Sequence, residues 1–430
     1  MFQNIKKILY FPLAYYFRFL AQIKLARWNP RVIVITGSSG KTTLLHLIES
    51  QLNENASYSH HANSSYGIPF DILGLERSTL MPYEWFELFL KAPFLIFSKV
   101  PKQKIYVVEA DCDRPGEGVF LSTFLKPEVT IWLSSSRTHS MNFDQLVAQG
   151  KPRTKMVRGK FPNVEEAIAY EYGYFLEATQ KLIIVNSDSD LIKKQLDRTN
   201  AKSVKISTKD LQTYKVTKSG SEFTINGRVF SFKFLLPEAV SYSISATIKL
   251  LNYLDQPFDD SFKKFELPPG RSSIFAGVKN TTIVDSCYNS NLSSAVEIIS
   301  MFDKIPAKNK WAIIGDMLEQ GKSEREEHEK LGRELLKFEL ERIVLLGPRI
   351  AKYTKPILEQ NGVKNLTSFE NPREVLDYLL KNLKGGEMIL FKGARFLEGV
   401  IENLLADKSD VVGLSRREKI WEIRREKWGF

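Results

Sequence analysis

The residues with the clearest chemical potential form a short loop, Gly37-Ser38-Ser39-Gly40-Lys41-Thr42-Thr43. A β-branched run, Arg31 to Thr36, precedes it and a helical pattern, Thr43 to Leu52, follows, so a strand, a loop and a helix are predicted in that order. At such a loop, backbone N–H groups and the positive end of the helix face a bound anion. The loop therefore predicts a phosphate site in which Lys41 reaches the β- and γ-phosphates and the Thr42 hydroxyl binds Mg²⁺.

Candidate metal ligands lie near the ends of later predicted strands. Glu109 closes the run IYVVE and is predicted to bind the metal ion that accompanies a triphosphate, because hard cations prefer oxygen donors. Asp111 and Asp113 follow in the next loop and are expected to be solvated. His139 follows another strand and a serine-rich turn, where it is either a structural histidine or a ligand.

The elements that must position these residues alternate along the chain. Short apolar runs such as Val129 to Leu133 and Trp311 to Ile314 are separated by helical stretches such as Val164 to Thr179. This alternation predicts an α/β fold with mainly parallel sheets covered by helices. The pattern changes between Val204 and Leu236, where a small antiparallel insertion is expected, and Pro268 to Gly270 is the best domain boundary.

Composition and charge exclude several classes of protein. The 430 residues are 43% hydrophobic and 26% charged, which is typical of a folded globular chain. The two cysteines, Cys112 and Cys287, are too few and too far apart in sequence for a disulfide framework or a four-ligand zinc site, so a reducing compartment, the cytoplasm, is predicted. Of the formal net charge of +11, nine charges lie in residues 1–31 and 408–430. A basic groove for nucleic acid would not leave this pattern, and no nucleic-acid partner is expected.

Two apolar segments raise the question of membrane contact. Ile8 to Phe17 is too short to span a bilayer, which needs about 20 apolar residues. Its basic and aromatic composition predicts either an interfacial helix, which makes peripheral membrane contact, or a helix packed on the body of the protein. Tyr83 to Phe97 is similarly aromatic and is open to the same two interpretations, lipid contact or core.

Several further motifs follow the phosphate loop in a fixed order. They are Asn63 with Tyr66-Gly67-Ile68-Pro69, Val108-Glu109 with Gly116-Glu117, Pro127-Glu128 through His139 to Phe143, Asn186-Ser187-Asp188, Pro269-Gly270-Arg271, Asp285-Ser286-Cys287-Tyr288-Asn289-Ser290-Asn291, Gly315-Asp316-Met317-Leu318-Glu319 with His328, and Lys392-Gly393-Ala394-Arg395. In this order and spacing, from about Val32 to about Leu405, the chain resembles the Mur ligase family and within it the MurF type.

The resemblance implies an ATP-dependent amide ligase of peptidoglycan (cell-wall) biosynthesis. In such a ligase a carboxylate attacks the γ-phosphate of ATP, and an amine then attacks the acyl phosphate. The expected cofactors are ATP and Mg²⁺, and the expected partners are a small-molecule peptide precursor and an amino acid or dipeptide such as D-alanyl-D-alanine. A monomer is expected. The implied domains are a basic aromatic N-terminal helix (1–31), a central P-loop ATPase domain (32–267), a Rossmann-like C-terminal domain (268–405) and a basic tail (406–430).

The resemblance also assigns roles to residues. The loop from Gly37 to Thr43 holds phosphate, and the metal ligands are Thr42, Glu109 and, for a second metal, His139. Arg271 reaches toward phosphate, so that the catalytic set is Lys41, Glu109, His139 and Arg271. In the nucleotide site, Asp285 hydrogen-bonds the ribose and Asn289 shapes the adjacent turn; ordinary turn capping is the alternative for these two.

The chain departs from the family pattern at several positions. The family's carbamylated lysine is matched by Tyr172, so Glu171 or another acid substitutes, or the second metal is held differently. The family's His-Asn pair, which contacts adenine, is replaced by Ala239-Val240. Its Thr-Asn pair is Leu133-Ser134 here, and its KGS motif ends in Ala394.

The family also carries an N-terminal domain that binds the UDP end of the substrate, and only about thirty residues precede the first predicted strand here. We therefore expect that domain to be lacking and the acceptor either to lack UDP or to be presented at a membrane surface. Two alternatives to the MurF-like ligase remain: a folylpolyglutamate-type ligase, and a catalytically weak ATP-binding scaffold in cell-wall assembly, which the Tyr172 and Ala239-Val240 replacements favour.

Overall fold

The computed structural model describes residues 2–60, 62–77, 83–147, 161–393 and 396–430, with side chains from residue 9 onward. Ala394 and Arg395 of the last motif lie outside the described residues. The chain divides into two compact units. The first comprises residues 1–210 and 242–265, and the second comprises residues 211–241 and 266–430.

The first unit contains six strands and eight helices in its described residues. They are α1 (Phe2–Trp28), β1 (Arg31–Thr36), α2 (Lys41–Leu52), β2 (Ser57–Tyr58), α3 (Gly67–Leu73), α4 (Glu84–Leu95), β3 (Ile105–Ala110), α5 (Glu117–Leu125), β4 (Val129–Trp132), α6 (Val164–Ala178), β5 (Leu182–Asn186), α7 (Asp190–Lys193), β6 (Lys202–Ile206) and α8 (Val240–Tyr253, which begins two residues before the unit resumes).

The strands of this unit form one parallel sheet in the order β2-β3-β1-β4-β5-β6. The inner strands are buried almost throughout, because helices cover both faces, and they therefore appear in the sequence as unbroken apolar runs. β1 has β3 on one side and β4 on the other, so the chain leaves β1 at the point where the strand order reverses. In open α/β sheets this is the edge at which ligands bind.

The N-terminal helix α1 is longer than its apolar run suggests and packs on the body of the first unit. Its residue Phe17 is fully buried and meets the ring of Phe70 edge-on at 4.7 Å between centroids. The indole N–H of Trp28 donates to the carbonyl oxygen of Gln103 at 2.6 Å. The interpretation of a helix packed on the body is thus confirmed for one face of α1. None of the helices in the described part of the chain has the length and apolar character needed to cross a bilayer.

The second unit contains nine strands and seven helices in its described residues. They are β7 (Leu211–Thr217), β8 (Gly220–Ile225), β9 (Arg228–Phe232), β10 (Ser273–Gly277), β11 (Thr281–Ser286), α9 (Leu292–Lys304), β12 (Lys310–Gly315), α10 (Glu324–Leu335), β13 (Arg342–Leu346), α11 (Pro348–Tyr353), α12 (Lys355–Gln360), β14 (Leu366–Phe369), α13 (Pro372–Asn382), β15 (Met388–Lys392), α14 (Leu397–Leu404) and α15 (Lys419–Glu426).

Two sheets organise the second unit. The larger has the order β10-β11-β15-β12-β13-β14 and is parallel except for the edge strand β10. The smaller is an antiparallel meander of β7, β8 and β9, as the alternation near residues 204–236 predicts. Contacts group this meander with the second unit. The domain limits expected from the sequence, 1–31, 32–267, 268–405 and 406–430, stay a prediction.

His328 fixes the loop that follows β12. It is fully buried on α10, where Nε2 accepts the Met317 N–H at 3.1 Å and the other ring nitrogen, Nδ1, lies 2.7 Å from the carbonyl oxygen of Glu324. Burial lowers the pKa of His328, so the ring is neutral in the folded state. In the GDMLE segment with its downstream histidine, His328 therefore has a structural role: it holds the backbone of Met317.

We expect His328→Leu to lower the free energy of unfolding by about 1–3 kcal/mol at pH 7.5, because it leaves the buried N–H of Met317 without its acceptor and removes the side-chain contact with the carbonyl oxygen of Glu324. The folded-state pKa lies below the unfolded value, so this stabilisation is complete above about pH 6.5 and is lost as the pH falls below it. Urea unfolding at pH 7.5 and 5.5 measures both effects. The difference between the two proteins should shrink at pH 5.5, whereas Arg333→Ala, an exposed change on the same helix, should alter neither value; an unchanged difference would contradict the assignment.

Candidate functional site

The loop between β1 and α2 has the backbone of a phosphate cradle. Gly37 and Gly40 have φ values of +130° and +82°, a region that residues with a side chain rarely adopt. A Cβ atom on Gly37 would lie 2.8 Å from the carbonyl oxygen of Ser134. Both glycines are thus required by the path of the chain, and the N-terminus of α2 begins directly after them at Lys41.

A second loop, after β4, holds the phosphate loop in shape. The Ser134 hydroxyl lies 2.9 Å from the Ser39 backbone nitrogen and 3.0 Å from the Ser39 carbonyl oxygen. The Ser38 hydroxyl lies 2.9 Å from the carbonyl oxygen of Ser136 and 2.8 Å from its backbone nitrogen. Ser134 stands where the Mur ligase pattern has the second residue of its Thr-Asn pair. From the sequence alone it was noted only as a difference from that pattern. Its short hydroxyl side chain is what braces the loop here.

Lys41 and Asp111 form a buried ion pair at the base of the loop. The ammonium of Lys41 lies 2.7 Å from Oδ2 of Asp111 and donates to the carbonyl oxygen of Gly37 at 2.5 Å. The other carboxylate oxygen, Oδ1, accepts from the Tyr172 hydroxyl at 2.6 Å and from the Cys112 N–H at 2.9 Å. Burial is the largest single influence and would raise the pKa of Asp111, but the nearby charges of Lys41 and His139 and the hydrogen bonds from Lys41 and Tyr172 together lower it.

The expectation that Asp111 is a solvated loop residue is therefore wrong. The carboxyl ends of β1 and β3 meet at one sheet edge, and this brings Asp111, one residue beyond β3, under the phosphate loop. Tyr172, the residue at the position of the carbamylated lysine in the Mur ligase pattern, takes part in the same network. Its hydroxyl donates to the Asp111 carboxylate that pairs with Lys41.

Thr42 and Glu109 come together as the sequence predicts. The Thr42 hydroxyl donates to Oε2 of Glu109 at 3.1 Å, and the backbone N–H of Glu109 is held by the Ser59 hydroxyl at 2.9 Å. A hydroxyl and a carboxylate beside a phosphate loop are the oxygen donors that Mg²⁺ prefers. Both side chains therefore fit a metal ion at this edge of the sheet.

His139 joins a different pair of acids. Its Nε2 lies 3.2 Å from Oδ1 of Asp113, and one donor atom from each of Asp111, Asp113 and His139 fits within a 4.8 Å cluster. This set offers two carboxylates and one imidazole, a combination that fits a divalent cation. Asp113, expected to be solvated, is thus half-buried beside the histidine that was a candidate ligand.

Glu171 does not take the place of the family's modified lysine. Its side chain is fully buried, and its two carboxylate oxygens accept the backbone N–H groups of Gly116 at 3.0 Å and Gly118 at 2.9 Å. Burial raises the pKa of Glu171 to about 7, although these two hydrogen bonds lower it. Glu171 thus caps the start of α5, and the acids beside His139 are Asp111 and Asp113.

One further cluster could hold a metal ion. His46 and Glu49 on α2 and His60 after β2 place one donor atom each within 4.8 Å of one another. Glu49 contacts His60 at 3.0 Å and His46 at 3.4 Å, so its carboxylate already serves both rings as an ion-pair or hydrogen-bond partner. These mutual contacts account for the cluster without a ligand.

The remaining predicted residues lie in the second unit. The guanidinium of Arg271 lies 4.9 Å from the ring centroid of Tyr288. Asp285 is fully buried at the end of β11; its Oδ1 accepts the Cys287 N–H at 3.0 Å, whereas its Oδ2 has no hydrogen-bond partner among the described residues. Asn289 accepts the next backbone N–H at 2.8 Å. Both Asp285 and Asn289 thus shape turns, and Asp285 keeps one oxygen for another group.

Comparison with known proteins agrees with this architecture. Residues 270–395 match the family model described as Mur ligase, glutamate ligase domain. A UDP-N-acetylmuramoyl-tripeptide--D-alanyl-D-alanine ligase of Buchnera aphidicola is 24% identical over 409 residues, which covers 88% of this chain and 77% of the relative. Borreliella burgdorferi has a ligase of the same name that is 25% identical over 390 residues, covering 88% of this chain and 75% of the relative.

A solved structure extends the likeness to three dimensions. MurF ligase from Thermotoga maritima in complex with ADP superposes with a TM-score of 0.68 at 21% identity, covering 96% of this chain and 84% of that one. The predicted fold is thereby confirmed: a Mur-ligase-like domain with a parallel sheet and a C-terminal α/β domain. The resemblance to ligases of the MurF type is also confirmed at the level of sequence and fold.

We expect Lys41→Met and Asp111→Asn each to lower the free energy of unfolding by about 3 kcal/mol, because each leaves one buried group without its charged partner. The double variant should cost less than the sum of the two, since neither charge is then left alone. Urea unfolding of all four proteins measures this coupling. Strictly additive costs would contradict a direct pair between these two side chains.

Proposed function

We propose that this chain, which has the Mur ligase fold, is an ATP-dependent amide ligase that extends a cell-wall peptide precursor through an acyl phosphate. The observation that carries the proposal is the phosphate cradle at the switch point of the first sheet, with Lys41 below it and Thr42 bonded to Glu109 at 3.1 Å. Similarity to ligases over most of the chain supports it.

The residues of the first unit would handle the nucleotide. The N–H groups of residues 37–43 and the positive end of α2 would bind phosphate oxygens, and Lys41 would add a fixed positive charge. Thr42 and Glu109 would hold one Mg²⁺, with His139 and its neighbouring acids as the donors for a second. Such an ion supplies positive charge that offsets the charge of the phosphates.

The chemistry that follows needs two attacks. A carboxylate oxygen of the acceptor attacks the γ-phosphorus and ADP leaves; an amine then attacks the acyl carbon, phosphate leaves, and the amine gives up a proton to form the amide. Fixed donors already in place lower the cost of developing charge, because no reorganisation is needed when the reaction occurs. The rigid loop braced by Ser134 fits this requirement.

The other roles that we propose fall on residues of the second unit. We propose that Arg271 contacts phosphate and that the unpaired oxygen of Asp285 accepts a hydroxyl of the ribose, with Asn289 shaping the turn beside it. Burial raises the pKa of Asp285, so a hydroxyl donor to the carboxylate would offset part of the cost of burying its charge.

For substrates, we propose a muramoyl tripeptide as acceptor and D-alanyl-D-alanine as donor, which are the substrates in the names of the relatives. We place the reaction in the cytoplasm, where ATP is available, and propose a monomer. We also propose that the N-terminal helix makes peripheral contact with the membrane. The expected lack of a UDP-binding domain stays a prediction.

We expect ATP hydrolysis by the purified chain with Mg²⁺ to rise only when a muramoyl tripeptide and D-alanyl-D-alanine are both present. Lys41→Ala should lower this rate about a hundredfold or more, because it removes a fixed charge at the phosphates. Lys181→Ala, an exposed lysine of the same unit, is the matched control. Peptides with and without UDP decide whether UDP is recognised. If the chain binds ATP but no combination of peptide and dipeptide stimulates hydrolysis, the result would instead favour the catalytically weak ATP-binding scaffold.

We expect Thr42→Val, which keeps the shape of the side chain and removes its hydroxyl, to raise the Mg²⁺ concentration needed for half-maximal activity by about tenfold. Glu109→Gln should act in the same direction, because an amide oxygen is a weaker ligand than a carboxylate. Titration of the stimulated ATP hydrolysis with Mg²⁺ at saturating ATP measures the shift. Unchanged Mg²⁺ dependence in both variants would exclude these residues as the ligands.

A further inference from the structure

An exposed apolar stripe runs along α4 and into the two residues that follow it. Phe86, Leu90, Phe94 and Phe97 are 74%, 57%, 78% and 80% exposed. Their spacing of four, four and three residues places them on one side of a helical path about 16 Å long, at 1.5 Å per residue. Single exposed apolar residues are ordinary, but a run of large ones along one helix face marks a surface that binds something.

The neighbouring helix α1 adds a second stripe. Tyr15, Phe19 and Ile23 recur every four residues and are partly or largely exposed. The two helices touch: the Tyr16 hydroxyl donates to the carbonyl oxygen of Phe89 at 3.0 Å. The exposed stripes therefore belong to adjacent helices of the same unit.

Both helices are held firmly from behind. Arg18 donates to the carbonyl oxygen of Phe120 at 2.6 Å, and the Lys24 ammonium donates to the carbonyl oxygen of Leu73 at 2.9 Å. Arg27 reaches the carbonyl oxygen of Ile96, next to the end of α4. These three cationic side chains thus hydrogen-bond backbone carbonyl groups of the first unit and hold α1 in place. A partner would meet a surface that is already folded, so binding would cost little ordering entropy.

The charges around the stripe are positive. Lys99, Lys102 and Lys104 are all exposed and lie within about seven residues after Phe97 in the sequence, with no acidic residue among them. The two acids of α4 are each beside a cation: Glu84 is buried near Arg77, and Glu87 pairs with Lys91. Such a surface suits an anionic lipid bilayer, because the apolar side chains can enter the interface while the lysines contact the negatively charged headgroups.

We propose that α1 and α4 together form a docking face for an anionic lipid bilayer, with Phe86, Leu90, Phe94 and Phe97 entering the interface and the three lysines meeting lipid headgroups. With 12 residues, α4 is shorter than the about 20 residues that a spanning helix needs, and in this proposal it lies along the membrane surface. A second copy of the chain is the poorer occupant, since self-association through this face would bring the two lysine clusters together.

Helix α1 is also linked to the loop that carries candidate metal donors. From α1, the Tyr10 hydroxyl donates to Oε1 of Glu117 at 2.5 Å, and Oε2 of the same carboxylate accepts the Asp113 N–H at 2.8 Å. One carboxylate thus links α1 to the loop of Asp113. If the chain is the proposed ligase, which this extension rests on, the docked protein would act on an acceptor carried on a lipid.

The test is co-sedimentation of the full chain with phosphatidylcholine vesicles that contain or lack phosphatidylglycerol. We expect binding to the anionic vesicles and little to the neutral ones. Phe94→Ser with Phe97→Ser should weaken binding about tenfold or more, and Lys99→Glu with Lys102→Glu should abolish the preference for anionic lipid. Val229→Ser with Val412→Ser, which changes similarly exposed apolar residues elsewhere, should leave binding unchanged.

Controls keep a failure interpretable. All substituted side chains are exposed, so thermal unfolding temperatures should match that of the native chain. ATP hydrolysis in lipid-free buffer with soluble substrates reports on the proposed ligase alone, and vesicle binding needs no ATP, so each claim can fail without the other. Absence of binding to anionic vesicles, or equal binding by the phenylalanine variant, would overturn the docking face. So would a dimer in light scattering that the phenylalanine variant dissociates.

Discussion

The buried ion pair of Lys41 and Asp111 is the interaction on which the first unit's site depends. Burying two charges is costly unless their remaining hydrogen-bonding positions are filled. Here the carbonyl oxygen of Gly37 accepts a hydrogen bond from the ammonium, and the Tyr172 hydroxyl and the Cys112 N–H donate to the carboxylate. The pair therefore ties together three elements that are distant in the sequence: the loop after β1, the end of β3 and the helix α6. It also holds the ammonium of Lys41 against the carbonyl oxygen of Gly37, the first residue of the phosphate loop.

The sequence predicted the cradle well and its surroundings less well, for a physical reason. A strand, a glycine-bearing loop and a helix are local, so residues 31–52 could be read from their own pattern. The contacts of Asp111 and Ser134 join segments that are 70 to 95 residues apart, and they depend on which strands neighbour β1. Residue type alone could not separate Asp111, which is buried under the loop, from a solvated aspartate. The shared sheet edge after β3 was the one available signal.

A similar limit applies to Glu171 and to the apolar segments. Glu171 sits beside the position of the family's modified lysine, but successive residues on a helix point in different directions, and its carboxylate turns to the start of α5. The aromatic run from Tyr83 to Phe97 is compatible with core or with surface, because apolar residues alone do not reveal what covers them. The fold resolves the choice: one side of α4 packs on α1, while five large aromatic or aliphatic side chains of the segment face solvent.

The central claim is that a carboxylate of the acceptor is activated by transfer of the γ-phosphoryl group. The most direct measurement labels both oxygens of that carboxylate with ¹⁸O and analyses the phosphate released during a single turnover with ATP, Mg²⁺ and the dipeptide by mass spectrometry. An acyl-phosphate route transfers one ¹⁸O atom to each phosphate, because the bond that breaks when the amine attacks lies between carbon and the bridging oxygen. Amide product accompanied by unlabelled phosphate would contradict this account.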